Sequence, residues 1–103
     1  MIGTLFTLKQ LEALIWVADL GSFRRAAAQL NTTQPNISAR IAGLETMLGV
    51  TLMQRDAGSI RLTEKGSALL AQARQVLREA EGLVTIAERP DLIDDSIRLG
   101  VTE

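Results

Sequence analysis

Phe23 to Leu48, FRRAAAQLNTTQPNISARIAGLETML, is the stretch of sequence that decides the fold. Both of its ends have the composition of a helix, whereas the middle, NTTQP, contains Pro35, a residue that breaks a helix interior. The position of this proline therefore determines how the stretch divides.

The residues before and after Pro35 indicate that it begins a helix. Asn31 tolerates the left-handed conformation that a tight helix exit requires, and Thr32 or Thr33 can cap a new helix. Pro35 then falls in the first turn, where its missing N–H costs nothing. We expect this third helix to cover about 34–48.

Two further helices precede this turn. Thr7 and Gln10 have the spacing of a capping box, which predicts the start of the first helix, and Gly21 ends it. Ser22 can cap a short second helix that runs through Leu30. Two helices joined by a turn of three or four residues are the helix-turn-helix arrangement.

After the third helix the sequence TLMQRDAGSIRLT changes its periodicity. Leu52–Met53 and Ile60–Leu62 are short β-prone segments, and DAGS between them has the composition of a turn, which predicts a two-stranded hairpin. Thr63 can cap a long helix from Glu64 to about Arg89, ended by Pro90.

These elements divide the chain into three parts. Residues 1–63 form a domain of three helices and a hairpin, and residues 64–89 form the long helix. Residues 90–103 are an acidic linker followed by SIRLGVTE, a strand-like segment without a partner. We expect the chain to continue from there into another domain.

Composition places the chain among small globular proteins. Its 103 residues are 47% hydrophobic, which favours one packed domain. The net charge is −1, but residues 1–65 carry a balance of +2 and residues 66–103 one of −3. The basic half contains the helix-turn-helix, a weak indication of a nucleic-acid partner.

The absence of cysteine and histidine from the sequence limits its chemistry. Disulfides, thiolate or imidazole metal sites and Cys–His or Ser–His nucleophiles are excluded. The only acidic cluster, Asp91, Asp94 and Asp95, falls in the linker, so we do not expect an enzyme. No apolar run is long enough to span a membrane, and we expect a cytoplasmic protein.

The third helix has one apolar and one polar face. Ile37, Ile41, Leu44 and Leu48 form the buried stripe. The opposite face carries Pro35, Asn36, Ala39, Gly43 and Thr46, with Gln34, Ser38 and Arg40 on its flanks. Its small residues, Ala39 and Gly43, permit a close approach to another surface, and a DNA major groove admits one helix.

The side chains around the start of this helix suit the edges of bases. Gln and Asn can bond adenine, Arg can bond guanine, and Ser can bond bases or phosphates. The candidate base contacts are Gln34, Pro35, Asn36, Ser38 and Arg40. The alternative is a polar face that contacts solvent or a protein.

Other polar residues are candidates for contacts to the DNA backbone. Arg55 and Arg61 flank the hairpin tip, where they could bind sugar-phosphate. Arg24 and Arg25 follow Ser22, where a helix start and cations together favour phosphate. The alternative for all four arginines is an ordinary solvated surface.

The long helix carries a heptad pattern typical of a coiled coil. One row, spaced by alternating steps of four and three, is Leu69, Ala73, Val76, Ala80, Leu83 and Ala87. A second row, spaced by seven, is Leu70, Leu77 and Val84. A helix of this length spans about 39 Å, more than the first helix can cover, so we expect a homodimer. The alternative is packing of the seam against the first helix.

Two residues have structural interpretations. Trp16 lies off the main apolar stripe of the first helix and is expected in core or dimer packing. Glu45 would repel phosphate, and we expect it to pair with Arg55.

The motifs GSFRRAA, TQPNIS, IAGLETMLGVTL and RLTEKG occur in that order and spacing. Through them the chain, over about 5–89, resembles the N-terminal domain of LysR-type transcriptional regulators, which are bacterial proteins. The resemblance implies a winged helix-turn-helix of three helices plus a small two-stranded β wing. It also implies a linker helix that dimerises antiparallel and binding to interrupted dyad sites in promoter DNA.

The resemblance also implies roles for single residues. It places Gln34, Pro35, Asn36 and Ser38 at the groove, Thr33 and Arg25 at the backbone, and Arg55 on the wing. Ser22, at the start of the second helix, is a further candidate for the backbone. The family commonly has Arg where this chain has Ala39, and Arg40 projects about 100° further round the helix. Met53, where phenylalanine is common, is a conservative core change.

For the whole regulator, the resemblance implies a small-molecule effector bound by a C-terminal domain, recruitment of RNA polymerase and possible tetramers. It implies no cofactor within these residues and no membrane. Two other interpretations remain open at this point: a molybdate-responsive regulator, which has a similar winged domain, and a helical protein-interaction domain. The SIRLGVTE segment argues against the first.

Overall fold

The computed structural model describes residues 6–56 and 59–91, and its elements follow the predicted order. They are α1 (Leu8–Leu20), α2 (Phe23–Gln29), α3 (Gln34–Leu48), β1 (Met53–Asp56), β2 (Ser59–Leu62) and α4 (Glu64–Glu88). The predicted mainly helical class with a two-stranded wing is confirmed. The strand-like segment predicted at 96–103 lies outside the described residues.

Local hydrogen bonds set the start of α1 where the sequence predicted. The Gln10 amide donates to Thr7 Oγ1 at 3.2 Å, and the Thr7 amide donates to Gln10 Oε1 at 2.8 Å. This reciprocal pair satisfies two of the amides that a helix start leaves free. The helix ends at Gly21, whose φ of 66° lies in the left-handed region that glycine enters without steric cost.

The turn between α2 and α3 is closed by its own backbone. Asn31 has a φ of 59°, and the Thr32 amide donates to the Ala27 carbonyl at 2.9 Å. Thr33, rather than Thr32, caps α3, because its Oγ1 accepts from the Asn36 amide at 3.2 Å. Pro35 lies in the first turn, as predicted.

Helices α1, α2 and α3 pack around a single core. Its buried side chains are Leu11, Ala13, Leu14, Ile15, Val17, Phe23, Ala26, Ala27, Ile37, Ile41, Leu44, Leu52, Met53 and Ala73. Each large aliphatic side chain in such a core contributes roughly 1.5–3 kcal/mol through burial. Because α3 buries Ile37, Ile41 and Leu44, its opposite side is directed outward.

Leu52 is the point at which α3, the wing and α4 meet. Its side chain is fully buried, its amide donates to a Glu45 carboxylate oxygen at 2.8 Å, and its carbonyl accepts from the Thr63 amide at 2.9 Å. Both peptide groups of Leu52 are therefore bonded outside the hairpin, and β1 begins at Met53 instead of Leu52. The expected pair of Glu45 with Arg55 is wrong, since Glu45 binds this amide.

The two halves of α4 have different surroundings. Ala73 is 3% exposed within the core, and its neighbours Leu69, Val76 and Leu77 pack against the same core. In the second half, Leu83 is 71% exposed. For the first half of the seam, the structure thus shows the alternative of packing against α1. Ala73 is no longer a candidate for a dimer contact.

An ion pair joins α1 to α4. Arg74 donates two hydrogen bonds to the Asp19 carboxylate, one of them at 3.1 Å, and the side chains are 40% and 39% exposed. The guanidinium hydrogen bond holds the pKa of Asp19 below its usual value of 3.8. The ionised carboxylate is thus favoured in the folded state.

Gly66, in the first turn of α4, should not tolerate a side chain. A Cβ there would lie 1.9 Å from the Leu52 carbonyl oxygen, a backbone atom that cannot move away alone. We expect Gly66→Ala to lower the free energy of unfolding by about 2 kcal/mol or more, measured by urea denaturation at fixed protein concentration. Gly82→Ala is the matched control, because a Cβ at Gly82 meets nothing within 4 Å. That change should raise stability by roughly 0.5–1 kcal/mol, and equal effects at both positions would contradict the close approach.

The Asp19–Arg74 pair predicts a stability difference that depends on pH. Because the folded state lowers the pKa of Asp19, its contribution is complete above about pH 4 and is lost as the pH falls through the lowered pKa. Asp19→Asn should cost at most about 1 kcal/mol at pH 6, given the exposure of the pair, and progressively less as the pH falls below the usual Asp pKa of 3.8. Thermal unfolding across this range measures it. Arg74→Met should give the same loss, and a double variant that loses the sum of both would exclude the pair as the cause.

Candidate nucleic-acid interface

The outward side of α3 is polar at its start and small at its centre. The exposed residues are Gln34, Pro35, Asn36, Ala39, Ala42, Thr46 and Met47. Gly43, which the sequence placed on this face, lies instead against α1, where an added Cβ would come within 2.9 Å of Gln10 Nε2. Position 43 therefore lies at the contact between α1 and α3, where an added side chain would displace the end of Gln10, and Ala42 is the second small residue of the open face.

The amide side chain of Asn36 is oriented by the turn that precedes α3. Its Nδ2 donates to Thr32 Oγ1 at 3.0 Å. An amide carries two N–H donors and an oxygen that accepts, so one donor and the oxygen remain for a ligand. The same turn that starts the helix thus also presents Asn36.

Arg40 lies on the flank of α3. It is half-buried, whereas its neighbour Ala39 is exposed at the centre of the open face. The family commonly has an arginine at position 39, in the centre of this face. Arg40 lies beside that position, as the offset of about 100° between successive helical residues requires.

Arg55 projects from the wing onto α3 and α2. Its guanidinium lies 3.6 Å from the centre of the Phe23 ring, within the range of a cation–π interaction. Its Nη2 donates to Ser38 Oγ at 3.0 Å. Arg55 therefore joins three elements, and sequence reasoning did not find this arrangement because it depends on contacts between residues far apart in the chain.

Arg61 has a weaker partner on the neighbouring strand. Its guanidinium lies 3.0 Å from the Asp56 carboxylate, and both side chains are mostly exposed. Ion pairs of this kind contribute little, about 0–1 kcal/mol. Arg61 can exchange this partner for another anion.

An open cleft of about 340 Å³ lies between α2, the start of α3 and the wing. The residues that line it are Gly21, Ser22, Phe23, Arg24, Gln34, Arg55, Asp56, Ser59 and Ile60. The cleft brings together Ser22, Gln34 and Arg55, three of the residues singled out in the sequence. Ser22 Oγ accepts from the Arg25 amide at 3.1 Å, and Arg25 itself is exposed beside it.

A second exposed surface lies on the C-terminal half of α4. Leu83, Val84 and Ala87 are exposed there, and Ala80 is half-buried. Ile86, 53% exposed, extends this apolar surface, although it falls on neither heptad row. The heptad pattern could not have identified Ile86, and its apolar side chain outside both rows was the one indication in the sequence.

Within residues 6–56 and 59–91, no three acidic side chains are grouped so that they could hold a metal ion. In the same part of the chain, none of the helices combines the length and the apolar character needed to cross a membrane.

This arrangement defines a class: a winged helix-turn-helix followed by a long helix. The family described as "Bacterial regulatory helix-turn-helix protein, lysR family" matches residues 8–67. The chain belongs to this family, whose members are DNA-binding transcriptional regulators and not enzymes.

Curated relatives agree with this assignment. The HTH-type transcriptional regulator CfxR of Cupriavidus necator is 38% identical in an alignment of 99 residues that covers 92% of this chain and 30% of CfxR. The dual regulator OxyR of Escherichia coli is 39% identical over 82 residues, 80% of this chain and 27% of OxyR. The chain thus spans less than a third of the length of these two proteins.

Solved structures share the fold. A full-length OxyR variant from Pseudomonas aeruginosa superimposes with a TM-score of 0.78 at 35% identity, over 81% of this chain and 28% of that one. The CbnR DNA-binding domain, solved with DNA, gives 0.75 at 35% identity, over 80% of this chain and 94% of that one. The BenM DNA-binding domain, solved with catB site 1 DNA, gives 0.79 at 27% identity, over 86% of this chain and the whole of that one.

Proposed function

We propose that this protein binds specific sequences in promoter DNA by inserting α3 into the major groove. The observation that carries the proposal is the outward side of α3, where exposed Gln34, Pro35 and Asn36 precede the small Ala39 and Ala42. A groove about 12 Å wide accepts a helix whose outer side is small, and amide side chains bond base edges there. The CbnR and BenM domains, similar in fold, were solved bound to DNA, which supports the same partner here.

The proposal divides the polar residues between two kinds of contact. The base contacts are Gln34, Pro35, Asn36, Ser38 and, from the flank, Arg40. The backbone contacts are Ser22, Arg25, Thr33, Arg55 and Arg61. Backbone contacts fix the position of the protein on the duplex, and base contacts provide the specificity.

The proposal includes a homodimer through the C-terminal half of α4. Leu83 and Val84, 71% and 57% exposed, would be covered by a second copy. A two-fold dimer presents two α3 helices to half-sites separated by whole turns of DNA, which is why its operators are dyads. Ala80 and Ala87 complete this surface, and tetramers are a possible extension in a longer protein.

The remaining parts of the proposal concern a whole regulator. A small-molecule effector would bind in the portion of such proteins that this chain does not match, and no cofactor is assigned to the described residues. Recruitment of RNA polymerase and a place in the cytoplasm follow from the same function.

The test of the function is selection of duplexes from a random pool, followed by a salt titration of binding. We expect an enriched dyad and a linear fall of log K with log salt, with a slope that corresponds to several phosphates. Binding to random DNA without enrichment would reject sequence specificity. No binding at low salt would instead indicate that the outer side of α3 contacts a protein.

Changes at Gln34 and Arg25 should have different effects on DNA binding. Gln34→Ala should cost about 1–3 kcal/mol at one base pair of the selected duplex, since a base-edge contact is lost. Arg25→Ala should weaken binding equally on all duplexes and lower the salt slope by about one, since a phosphate contact is lost. Titrations of both variants on selected and random duplexes measure this. Equal losses on both duplexes for Gln34→Ala would remove it from the base contacts.

Leu83→Glu should convert the dimer into monomers. The side chain is exposed in the protomer, so the change leaves the core intact and places a charge in the proposed interface. Thr85→Glu adds the same charge to an exposed position outside the apolar rows and is the matched control. Sedimentation should show monomers for the first variant and dimers for the second. A dimer that persists in Leu83→Glu would place the interface elsewhere.

A further inference from the structure

Ser38 and Arg55 form a contact that constrains the chemistry of the serine. Arg55 Nη2 donates to Ser38 Oγ at 3.0 Å, from β1 to the middle of α3. The guanidinium is held in place by the Phe23 ring, 3.6 Å below it, and Phe23 belongs to the buried core. The donor therefore occupies a fixed position on the side of the serine that faces the wing.

A hydroxyl group has one donor and two acceptor lone pairs. In Ser38 a charged donor occupies one lone pair, and its positive charge disfavours the approach of a second donor to the other. The hydroxyl hydrogen is directed away from the guanidinium, because two donors do not face each other. Ser38 is thereby left with an O–H to offer and little capacity to accept.

This hydroxyl borders open space. Ser38 is half-buried and lines a cleft of about 150 Å³ between α3 and the wing, together with Ala42, Met53 and Arg55. Two acceptors on α3 compete for the hydroxyl. One is the carbonyl of the residue four positions earlier, which a serine in a helix can bond, and the other is the Glu45 carboxylate, which lines the same cleft and already accepts from the Leu52 amide. A stronger acceptor that enters from outside can replace either of them.

The geometry points to Arg55 as a positioning residue that makes Ser38 a donor to DNA, an inference that rests on the proposed function. Ser38 then selects an acceptor atom: N7 or O6 of guanine, N7 of adenine, O4 of thymine or a phosphate oxygen. The N4 amino group of cytosine, a donor, is rejected. Arg55 thus acts on specificity through Ser38, in addition to supplying a positive charge to the DNA backbone.

This role separates the two arginines of the wing. Arg61 has an exposed carboxylate as its partner, and among the described residues it forms no hydrogen bond or ion pair with α3, so its expected role is by charge. Arg55 has both the aromatic support and the hydroxyl partner. Arg61→Met and Arg55→Met remove the same charge from the same hairpin, and they form a matched pair.

The test uses the duplex selected with this protein. Purines in it are replaced one at a time by their 7-deaza analogues, which lack the N7 acceptor. Guanines are replaced by 6-thioguanine and thymines by 4-thiothymine, both weaker acceptors, and single phosphates by uncharged methylphosphonates. At one position the wild-type protein should lose about three- to tenfold in affinity, the weight of one hydrogen bond. Ser38→Ala should be insensitive to that replacement, and Ser38→Thr, which keeps the hydroxyl, should remain sensitive.

The arginine variants then test the positioning role. Arg55→Met should lose most of the sensitivity to that replacement. In a Ser38→Ala background, Arg55→Met should cause no further change in this sensitivity. Arg61→Met should keep the sensitivity in full while its salt slope falls. If Arg55→Met does not fold, Phe23→Leu removes the aromatic support while the charge stays, and the same reduced sensitivity is expected.

Each outcome decides between the interpretations. Sensitivity to a base analogue identifies a base acceptor, and sensitivity only to a methylphosphonate identifies a phosphate; both support Ser38 as the donor. Full sensitivity in Arg55→Met, or in Ser38→Ala, overturns the inference, as does a wild-type protein sensitive at no position. A pool that yields no selected duplex rejects the proposed function itself, and the inference falls with it.

Discussion

The buried peptide groups of Leu52 constrain the rest of the structure. A buried amide or carbonyl without a partner costs about 1–3 kcal/mol, so both must be bonded. The Glu45 carboxylate on α3 accepts from the Leu52 amide. The backbone amide of Thr63, the cap of α4, donates to the Leu52 carbonyl. The helix that presents the candidate base contacts and the long helix α4 are thus both attached to one residue.

Gly66 and the α1–α4 ion pair make this attachment rigid. The first turn of α4 approaches the Leu52 carbonyl so closely that a methyl group would overlap it. About two turns further along, Ala73 enters the core, and Arg74 bonds Asp19 on α1. The contacts at Gly66, Ala73 and Arg74 define the angle of α4 to the winged domain, because a helix held at separated points along its length cannot rotate about any one of them.

Much of the fold could be predicted from the sequence because it depends on local interactions. The caps at Thr7, Ser22, Thr33 and Thr63 bond amides three residues away, so their positions are visible in the order of residues alone. The heptad rows of α4 are likewise visible in the order of residues. The fold class and the bounds of α3 followed from such signals.

The contacts that the sequence could not provide join residues distant in the chain. The charge of Glu45 suggested a basic partner, but a buried amide needs an acceptor more than a solvated arginine needs an anion. Helical periodicity placed Gly43 on the open face of α3, because it does not show how far the neighbouring α1 extends around that helix. A glycine at 66, in a helical turn where alanine is more stable, was the one available signal of the close approach to Leu52.

The division of α4 connects the position of the DNA-binding surface with oligomeric state. Its first half belongs to the core of the protomer, and its second half exposes Leu83 and Val84. Because one continuous helix carries both, a partner that covers the second half also fixes the direction of the first. The direction of the first half fixes α3 through Leu52, Glu45 and Thr63. In the proposed dimer, the distance between the two α3 helices is therefore set by the packing of α4, and any change in that packing alters which spacing of half-sites the protein can bind.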